Sequence, residues 1–430
     1  MSVHIFWFRR DLRLHDHRGL HTALTSGKPV LPIFIFDPDI LDELERDDAR
    51  VSFIHDSLMV MHRQLVQWGS GLRIFHGNPQ EVFSQLLQNH QVDTVFAVRD
   101  YEPYATQRDR QVGEWLQSQG SMLELVKDQV IFEQSEVVKD DGKPYTVYTP
   151  YSRKWFANFD PSMIEEEVVA EYADRFLQGE VPAPMTLEAI GFRRSQIQVA
   201  PFDVSEDLVA HYEERRNFPA IQGCSQLGPH LRFGTVSIRE VVRIARQHSE
   251  TFWKELIWRE FFMQILHHFP KVVDTCFKEK YERVPWKMNE AWFEAWCEGR
   301  TGYPMVDAGM RELNQTGYMH NRVRMVVASF LTKHLMIDWR KGEAYFAKKL
   351  LDYELSSNNG NWQWAAGCGC DASPYFRVFN PESQLKKFDG KGQYIRKWLP
   401  EFGTPAYPKP IVDHKEARQR AIDTYKQALG

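Results

Sequence analysis

The chain has 430 residues, 43% of them hydrophobic, which is enough for the buried cores of two or three domains. No stretch approaches 18 consecutive apolar residues, so no membrane-spanning segment is predicted. The five cysteines are odd in number and scattered, which favours a reduced protein of the cytoplasm. Cys368 and Cys370 lack the second pair that would complete a metal site, so no metal is expected.

The net charge of −5 hides an asymmetry along the chain. Residues 301–430 carry 19 Lys and Arg against 13 Asp and Glu, whereas the remainder carries 34 basic and 45 acidic residues. A polyanion would therefore meet the C-terminal part first. Uneven surface charge without a polyanionic partner is the alternative interpretation of this pattern.

Residues up to about 126 alternate short apolar runs with helical patterns. Four runs are rich in β-branched and aromatic residues: 4–8, 30–36, 72–75 and 94–98. Helical patterns at residues 52–68 and 79–89 lie between them, which predicts parallel β-α-β units in a doubly wound sheet. No GxGxxG sequence follows the first run, so a dinucleotide fingerprint is missing from it.

The rest of the chain is predicted to be a connector and a helical domain. Residues 127–200 lack a sustained period and contain turn signals such as Asp141-Gly142. Helical periodicity dominates from about residue 205, with helices predicted at 241–246, 253–268, 305–317, 323–334 and 343–351. The sequence thus predicts an α/β domain (1–126), a connector (127–200) and an all-helical domain (201–430).

Three motifs in the helical part carry chemistry. Residues 358–367 read Asn-Asn-Gly-Asn-Trp-Gln-Trp-Ala-Ala-Gly, and four amides beside two indoles suit a planar redox ring with a hydrogen-bonding edge. The other two are Glu-Leu-Ile-Trp-Arg-Glu-Phe at 255–261 and Gly-Tyr-Met-His-Asn-Arg-Val-Arg-Met at 317–325. With Phe-Trp-Phe-Arg-Arg-Asp-Leu-Arg at 6–13, these motifs closely resemble the photolyase/cryptochrome family, and within it the class I cyclobutane pyrimidine dimer photolyases.

The resemblance covers nearly the whole chain and implies both a fold and an activity. The implied fold is an α/β domain joined to an all-helical domain that binds FAD non-covalently in a U shape. The implied enzyme is a lyase that repairs cyclobutane dimers: excited reduced flavin donates an electron to a dimer extruded from the duplex and recovers it after the ring splits. The implied partner is UV-damaged DNA, with the protein acting as a monomer.

Ten residues match family positions that bind FAD: Tyr212, Cys224, Ser225, Gln226, Leu227, Gly228, Arg324, Asp352, Glu354 and Asn358. The turn at 223–229 is rich in glycine and enters a helix, so its backbone N–H groups can face a diphosphate. Cys224 stands where many relatives have Thr, and Gly228 where many have Ser. Two phosphate hydrogen bonds are therefore expected to be lost, or to be supplied by backbone and water instead.

Four of these residues are expected around the flavin ring. Arg324 and Asp352 are expected to pair across one face of the isoalloxazine. Asn358 is expected to face the flavin N5, where an amide favours repair from anionic FADH⁻ over the Asp of plant cryptochromes. Glu354 replaces the usual Asp, and its extra methylene displaces the carboxylate relative to the flavin edge.

Five residues are predicted to line the lesion pocket: Glu255, Trp258, Asn321, Met325 and Trp364. Glu255 and Trp258 are three apart and share a helix face, so they offer a carboxyl group for hydrogen bonding and an indole for stacking. The (6-4) photolyases have histidines at the positions of Asn321 and Met325. DASH-type cryptochromes typically have Tyr at the position of Trp364.

Two further sets of residues match family positions. Arg216, Arg259, Arg322, Gln384 and Lys387 match residues that face the DNA backbone, where contacts position a protein without reading sequence. Trp286, Trp339 and Trp362 match the tryptophan chain that carries electrons to photoexcited oxidised flavin. Solvated surface charge is the alternative for the lysines, and core packing is the alternative for the tryptophans.

The α/β domain is expected to hold a second, light-harvesting chromophore. Residues 8–13 and 100–109 flank the crevice expected at the C-terminal ends of the strands. Relatives use a folate, a deazaflavin or a second flavin at this place, and the sequence does not choose among them.

Three rival functions are less well supported by the sequence. A non-repairing cryptochrome is expected to have a divergent lesion pocket and usually a long C-terminal extension. A (6-4) photolyase is disfavoured by Asn321 and Met325. An electron-transfer flavoprotein without a DNA function is disfavoured by the basic C-terminal part.

Overall fold

The computed structural model describes residues 2–179, 181 and 183–430, and the chain groups into two compact units. Unit 1 comprises Met1–Glu133, Asn158–Phe202 and Gln226–Gln247. Unit 2 comprises Gln134–Ala157, Asp203–Ser225 and His248–Gly430. The segment predicted as a connector thus contributes residues to both units, and the predicted boundaries at 126 and 200 stay predictions.

Unit 1 is built on a parallel sheet of five strands in the order β3-β2-β1-β4-β5. The strands are β1 (Ser2–Phe8), β2 (Val30–Phe36), β3 (Arg73–His76), β4 (Gln91–Val98) and β5 (Met122–Val126). The four predicted strands and the α/β fold class are confirmed. The missed strand, β5, pairs only with β4 and is less buried than the central strands, so its sequence lacks their continuous apolar run.

Helices cover both faces of this sheet. Alternate residues of β1 point to opposite faces, so Phe6 and Phe8 enter one core and Ile5 and Trp7 enter the other. The first core includes α1 (Arg18–Thr25) and α3 (Ala49–Gln67), and the second includes α4 (Pro79–Asn89) and α5 (Pro103–Ser118). A short helix, α2 (Pro38–Leu41), follows β2. The predicted doubly wound arrangement is therefore present.

A buried ionic cluster ties a later segment into unit 1. Arg239 is 1% exposed, and its guanidinium donates to Asp16 Oδ1 at 2.9 Å and to Asp128 Oδ1 at 2.8 Å. Burial alone would raise the pKa of Asp128, but the charges of Arg13, His17 and Arg239 hold it well below its usual range. This cluster explains why Gln226–Gln247 belongs to unit 1 although its periodicity is helical.

The other elements of unit 1 are helical. Two helices lie in the segment held by Arg239: α9 (Leu227–Phe233) and α10 (Ile238–His248). Three 3₁₀ turns are Pro161–Ile164, Ala170–Arg175 and Glu188–Ile190.

Unit 2 is helical in its described residues, as predicted. Its helices are α6 (Tyr148–Asn158), α7 (Glu206–Ala210), α8 (Tyr212–Arg215), α11 (Glu250–His268), α12 (Glu290–Cys297), α13 (Pro304–Thr316), α14 (Asn321–Ser329), α15 (Trp339–Lys349), α16 (Leu355–Ala366), α17 (Pro381–Phe388), α18 (Gln393–Trp398) and α19 (His414–Leu429). Shorter turns are Pro270–Val273 and Glu279–Arg283. The helix predicted at 323–334 is α14 followed by a π-helical turn at Phe330–His334.

Close packing of α16 positions the site described below. A Cβ added at Gly360 would lie 2.2 Å from Cδ1 of Phe262, so α16 approaches α11 more closely than any other residue at this position would allow. A Cβ added at Gly342 would lie 2.2 Å from Cη2 of Trp362, so α15 and α16 are equally close. Position 360 belongs to the amide-rich motif, and its glycine is therefore required by packing.

The described residues contain no helix long and apolar enough to cross a membrane. All five cysteines are free thiols. In the described part of the chain, no group of three or more His, Cys, Asp and Glu side chains is placed to hold a metal ion.

Candidate functional site

A cavity that is partly open to solvent lies in unit 2 beside α14, α15 and α16. Eight of the residues predicted from the sequence line it: Asn321, Arg324, Met325, Asp352, Glu354, Asn358, Trp362 and Trp364. They come from the predicted flavin, lesion and electron-transfer sets. Two separate motifs, at 317–325 and 358–367, therefore meet in one place.

Arg324 and Asp352 form a two-pronged ion pair in the cavity wall. Nη1 of Arg324 donates to Oδ1 of Asp352 at 3.2 Å, and Nη2 donates to Oδ2 at 2.8 Å. Nε also donates to the carbonyl of Met319 at 2.6 Å. Burial alone would lower the pKa of Arg324, but the attraction of the Asp352 carboxylate exceeds this effect. The pKa of Arg324 is therefore raised. Three hydrogen bonds fix the guanidinium plane, and the predicted pairing is present.

The side-chain amide of Asn358 is held in one orientation by Glu343. Its Nδ2 donates to the carbonyl oxygen of Glu343 at 3.1 Å and to Oε1 of the same residue at 2.7 Å. Because a carbonyl oxygen only accepts, the nitrogen must face Glu343, and the Oδ1 of Asn358 is left for the cavity. Burial raises the pKa of Glu343, although the Asn358 hydrogen bond opposes this. Asn358 thus presents a hydrogen-bond acceptor to the cavity.

The carboxylate of Glu354 is hydrogen-bonded by two side chains of unit 2. Oε1 accepts from Nη2 of Arg259 at 3.3 Å, and Oε2 accepts from the hydroxyl of Ser357 at 3.4 Å. The side chain of Arg259 is only 12% exposed. Arg259 is therefore largely buried against Glu354, and its contact with a DNA phosphate stays a prediction.

The five predicted lesion residues fall into two groups within unit 2. Asn321, Met325 and Trp364 line the cavity, whereas Glu255 and Trp258 lie on α11 outside its lining. Oε1 of Glu255 accepts from Nη1 of Arg216 at 2.5 Å. The indole of Trp258 is stacked on Tyr148, with ring centres 3.6 Å apart. Both α11 side chains are half-buried, so each keeps an exposed part.

The predicted phosphate turn is divided between the two units. Tyr212, Cys224 and Ser225 belong to unit 2. Gln226, Leu227 and Gly228 belong to unit 1, where Gln226 has a φ of 56° and α9 begins at Leu227. The sequence predicted helix entry near Pro229, so the helix begins earlier than expected.

Tyr318 was missed by the sequence reasoning although it lies inside a quoted motif. Its hydroxyl is hydrogen-bonded to the thiol of Cys224, whose pKa is raised by burial. The guanidinium of Arg324 lies 5.7 Å from the centre of the Tyr318 ring. A hydroxyl group therefore stands beside Cys224.

Predicted DNA contacts meet around Phe388, at the end of α17. The guanidinium of Arg322 lies 4.5 Å from the ring centre, and Nζ of Lys387 lies 5.2 Å from it. Nη2 of Arg322 also donates to Oδ1 of Asn217 at 2.6 Å. Burial lowers the pKa of Arg322, and the charges of Arg216 and Arg377 add to this. Arg216 and Arg377 thus add positive charge to the surroundings of Arg322. Gln384 lies on the same helix as Lys387.

Of the three predicted electron-transfer tryptophans, Trp362 lines the cavity, and the electron-transfer role of all three stays a prediction. The ring of Trp362 touches α15 at Gly342, one turn after Trp339. The amide of Lys287, next to Trp286, donates to the carbonyl of Met336 at 2.7 Å, close in sequence to Trp339. Trp339 is 1% exposed, whereas Trp286 is half-buried. Trp362 and Trp339 are both buried, and Trp286 is the most exposed of the three.

In unit 1, charged side chains gather where β1 and β4 end. The guanidinium of Arg9 is hydrogen-bonded to Asp109 and to the carbonyl of Val98. Nη1 of Arg10 donates to Oδ1 of Asp100 at 3.1 Å. These strands are neighbours whose connections leave in opposite directions, which is where doubly wound sheets bind ligands.

Comparison with known proteins adds to this geometry. Residues 4–170 match the family described as DNA photolyase, and residues 252–406 match the FAD binding domain of DNA photolyase. The deoxyribodipyrimidine photo-lyase of Synechococcus sp. (strain ATCC 27144 / PCC 6301 / SAUG 1402/1) is 37% identical, over 98% of this chain and 96% of its own.

Two solved structures have the same fold over the whole chain. A class III photolyase from Agrobacterium tumefaciens superposes with a TM-score of 0.89 and 34% identity, covering 100% of this chain and 98% of its own. An archaeal photolyase from Sulfolobus tokodaii, described with two FAD molecules, has a TM-score of 0.85 and 34% identity, covering 99% and 100%. The resemblance found in the motifs is thus confirmed, and this chain belongs to the DNA photolyase family.

Proposed function

We propose that this chain repairs cyclobutane pyrimidine dimers in UV-damaged DNA in a reaction driven by light. The observation that carries the proposal is the single cavity that holds the Arg324–Asp352 pair and Asn358 together with Asn321, Met325 and Trp364. When bound, reduced FAD supplies an excited electron to the lesion. The residues fit this cofactor, because they offer a fixed cation, an acceptor amide and a partly apolar wall.

The residues of the cavity bind and orient in this proposal. The fixed Arg324–Asp352 pair presents both a donor and an acceptor to a heterocyclic ring. The Oδ1 of Asn358 accepts a hydrogen bond from a protonated ring nitrogen, which favours a reduced ligand. Ala328, Phe346 and Leu350 supply apolar wall that excludes water.

The lesion class follows from the protonation state of the nearby residues. A (6-4) adduct needs a proton donor near the lesion. Asn321 and Met325 do not titrate near pH 7. Burial lowers the pKa of His320 to about 4, with the charges of Arg324 and Arg322 acting in the same direction. Its Nδ1 accepts from the amide of Arg322 at 3.1 Å. This histidine is neutral at pH 7, and a cyclobutane dimer is the substrate that needs no such acid.

The decisive experiment illuminates purified, reduced protein with two defined oligonucleotides side by side. One carries a cyclobutane dimer and the other a (6-4) adduct, and absorbance at the thymine band reports restored bases. We expect recovery with the dimer only. Recovery with the (6-4) adduct alone would replace the proposed lesion, and recovery with neither would favour a light sensor. Assignment to class I stays a prediction, since a class III photolyase shares the fold.

DNA binding is assigned to the basic side chains of unit 2. Arg216, Arg322, Gln384 and Lys387 are proposed to contact phosphates on either side of the extruded dimer. We infer that the protein acts as a monomer inside the cell, and its five free thiols agree with a reducing compartment. Sedimentation of the purified protein with and without DNA tests the oligomeric state.

A second chromophore is proposed at the sheet edge of unit 1. The Sulfolobus tokodaii photolyase is described with a second FAD as a novel light-harvesting cofactor. The ionic cluster of Arg9, Arg10, Asp100 and Asp109 lies where such a ligand is expected. Denaturing the protein and separating the released chromophores will show whether a folate, a deazaflavin or additional flavin accompanies the FAD.

A further inference from the structure

Trp258, a predicted stacking residue for the lesion, is covered on one face by Tyr148. The two ring centres are 3.6 Å apart and the ring planes differ by 7°. Tyr148 is the first residue of α6, which lies in the segment predicted to be a connector. Both residues belong to unit 2, so the contact lies within one compact body.

Tyr148 is held in place by its own contacts. Its hydroxyl donates to the carbonyl of Lys254 at 2.8 Å, one turn before Trp258 on the same helix. Its backbone N–H donates to Oδ2 of Asp371 at 3.0 Å, in the segment that follows α16. The edge of Phe261 packs against it with ring centres 5.9 Å apart. Tyr148 is held by three contacts and is 8% exposed, so it is a fixed neighbour of Trp258 and not a mobile side chain that moves aside.

We propose that Tyr148 is a positioning residue that holds the Trp258 indole so that its other face can stack on the extruded pyrimidine dimer. This inference rests on the proposed function. An indole without a neighbour samples several rotamers, and ordering one on binding costs affinity. A parallel aromatic partner restricts that motion in advance and leaves a flat surface ready for a base.

The electrostatic surroundings agree with this role. Burial raises the pKa of Tyr148, and the negative charge of Glu255 adds to the effect. The phenol therefore stays protonated and continues to donate to Lys254. Glu255 is itself a predicted lesion contact, so its charge acts on both Tyr148 and the proposed pocket.

The test compares Tyr148→Leu with Tyr148→Phe. Dissociation constants are measured in the dark for a dimer-containing duplex and for the undamaged duplex of the same sequence. Loss of the ring in the leucine variant should weaken dimer binding about 2- to 10-fold and leave undamaged binding unchanged. The phenylalanine variant keeps the stacked ring and should stay within about 2-fold of the unmodified protein. If leucine prevents folding, Tyr148→Met fills similar space without an aromatic face.

A second variant identifies the route of the effect. In a Trp258→Leu background, adding Tyr148→Leu should cause no further loss of dimer affinity, since the effect passes through Trp258. Tighter dimer binding by the leucine variant would show that Tyr148 occupies the space of the lesion. An equal loss of affinity for both duplexes would show that Tyr148 has a general structural role. Either result overturns the inference. Failure of the proposed function itself is distinguishable, because the unmodified protein would then bind both duplexes alike.

Discussion

Nη1 of Arg216 and Oε1 of Glu255 are 2.5 Å apart, so a predicted DNA contact and a predicted lesion contact form one ion pair. Burial alone would lower the pKa of Arg216, but the attraction of the Glu255 carboxylate exceeds this effect. The pKa of Arg216 is therefore raised. Each residue therefore sets the charge that the other presents. In the proposed complex, the second carboxylate oxygen of Glu255 would bind a pyrimidine, and the charge of Arg216 would be partly neutralised by Glu255 before DNA binds.

Glu255→Ala should lower the yield of dimer repair per absorbed photon, because a hydrogen bond to the reacting base is lost. The same variant should bind undamaged DNA more tightly, because Arg216 loses its counter-charge. For this variant, the slope of log affinity against log salt concentration should steepen by up to about one unit. Repair yield and salt-dependent binding are measured together. Glu255→Gln is the matched control: it should gain the same affinity for undamaged DNA while retaining more of the repair yield.

Lys387→Ala and Arg322→Ala should weaken binding to damaged and undamaged DNA alike. Each removes one phosphate contact, so the slope of log affinity against log salt should fall by about one unit. Lys415→Ala removes an equal charge on α19 and serves as the control. A variant that loses affinity with an unchanged slope would show that its residue does not neutralise a phosphate.

Trp286→Phe should slow the photoreduction of bound oxidised FAD, because phenylalanine is much harder to oxidise than tryptophan. Protein reduced chemically beforehand should repair dimers normally. Flash absorption on the two preparations separates these steps. Trp292→Phe changes a neighbouring indole outside the proposed chain, and the FAD of this variant should be photoreduced at the normal rate. A similar loss of photoreduction rate in both variants would point to an effect on packing.

Glu343→Ala should loosen the orientation of the Asn358 amide, because it removes the side-chain bond at 2.7 Å and leaves only the bond to the backbone carbonyl of residue 343. The reduced ligand then loses a preorganised acceptor, and the midpoint potential of bound FAD should become more negative by about 10 to 30 mV, the equivalent of one ordinary hydrogen bond. Glu343→Gln still offers an accepting oxygen and should stay near the original potential. An equal shift in both variants would indicate that the charge of Glu343 acts directly.

Asp128 should make the stability of unit 1 sensitive to acid. Its pKa is lower in the folded protein than in the unfolded chain, so its contribution is fully present above the unfolded value of about 3.9 and is lost as pH falls toward the folded value. Asp128→Asn leaves Arg13 and Arg239 without this charge and should cost about 3–5 kcal/mol at pH 7. Urea unfolding at pH 7 and pH 2 should show a smaller gap in the free energy of unfolding between variant and parent at pH 2, which lies below the unfolded pKa.

The sequence predicted the sheet, the helical part and the motif residues because each leaves a local signal. The runs at 30–36 and 79–89 coincide with β2 and α4, where apolar periodicity is strong. Tyr318 and Glu343 were missed because their roles depend on contacts between distant segments. Nothing local distinguishes Glu343 from any other helical glutamate, and only the fold brings it to Asn358.

The unit boundaries could not be predicted for a similar reason. Arg239 lies in a helix of ordinary periodicity, and its burial against Asp16 and Asp128 is a long-range ionic contact. Periodicity shows which face of a helix or strand is apolar, but it does not show whether that face packs in unit 1 or in unit 2. The same limit applies to α6, whose Tyr148 lies in a segment without any sustained pattern.

Gly342 leaves no room for even a methyl group beside the ring of Trp362. Electron transfer between aromatic rings slows steeply as they move apart. In the proposed tryptophan chain, a larger residue at position 342 would displace the ring of Trp362, so it should slow the photoreduction of FAD as well as disturb the packing of α15 on α16.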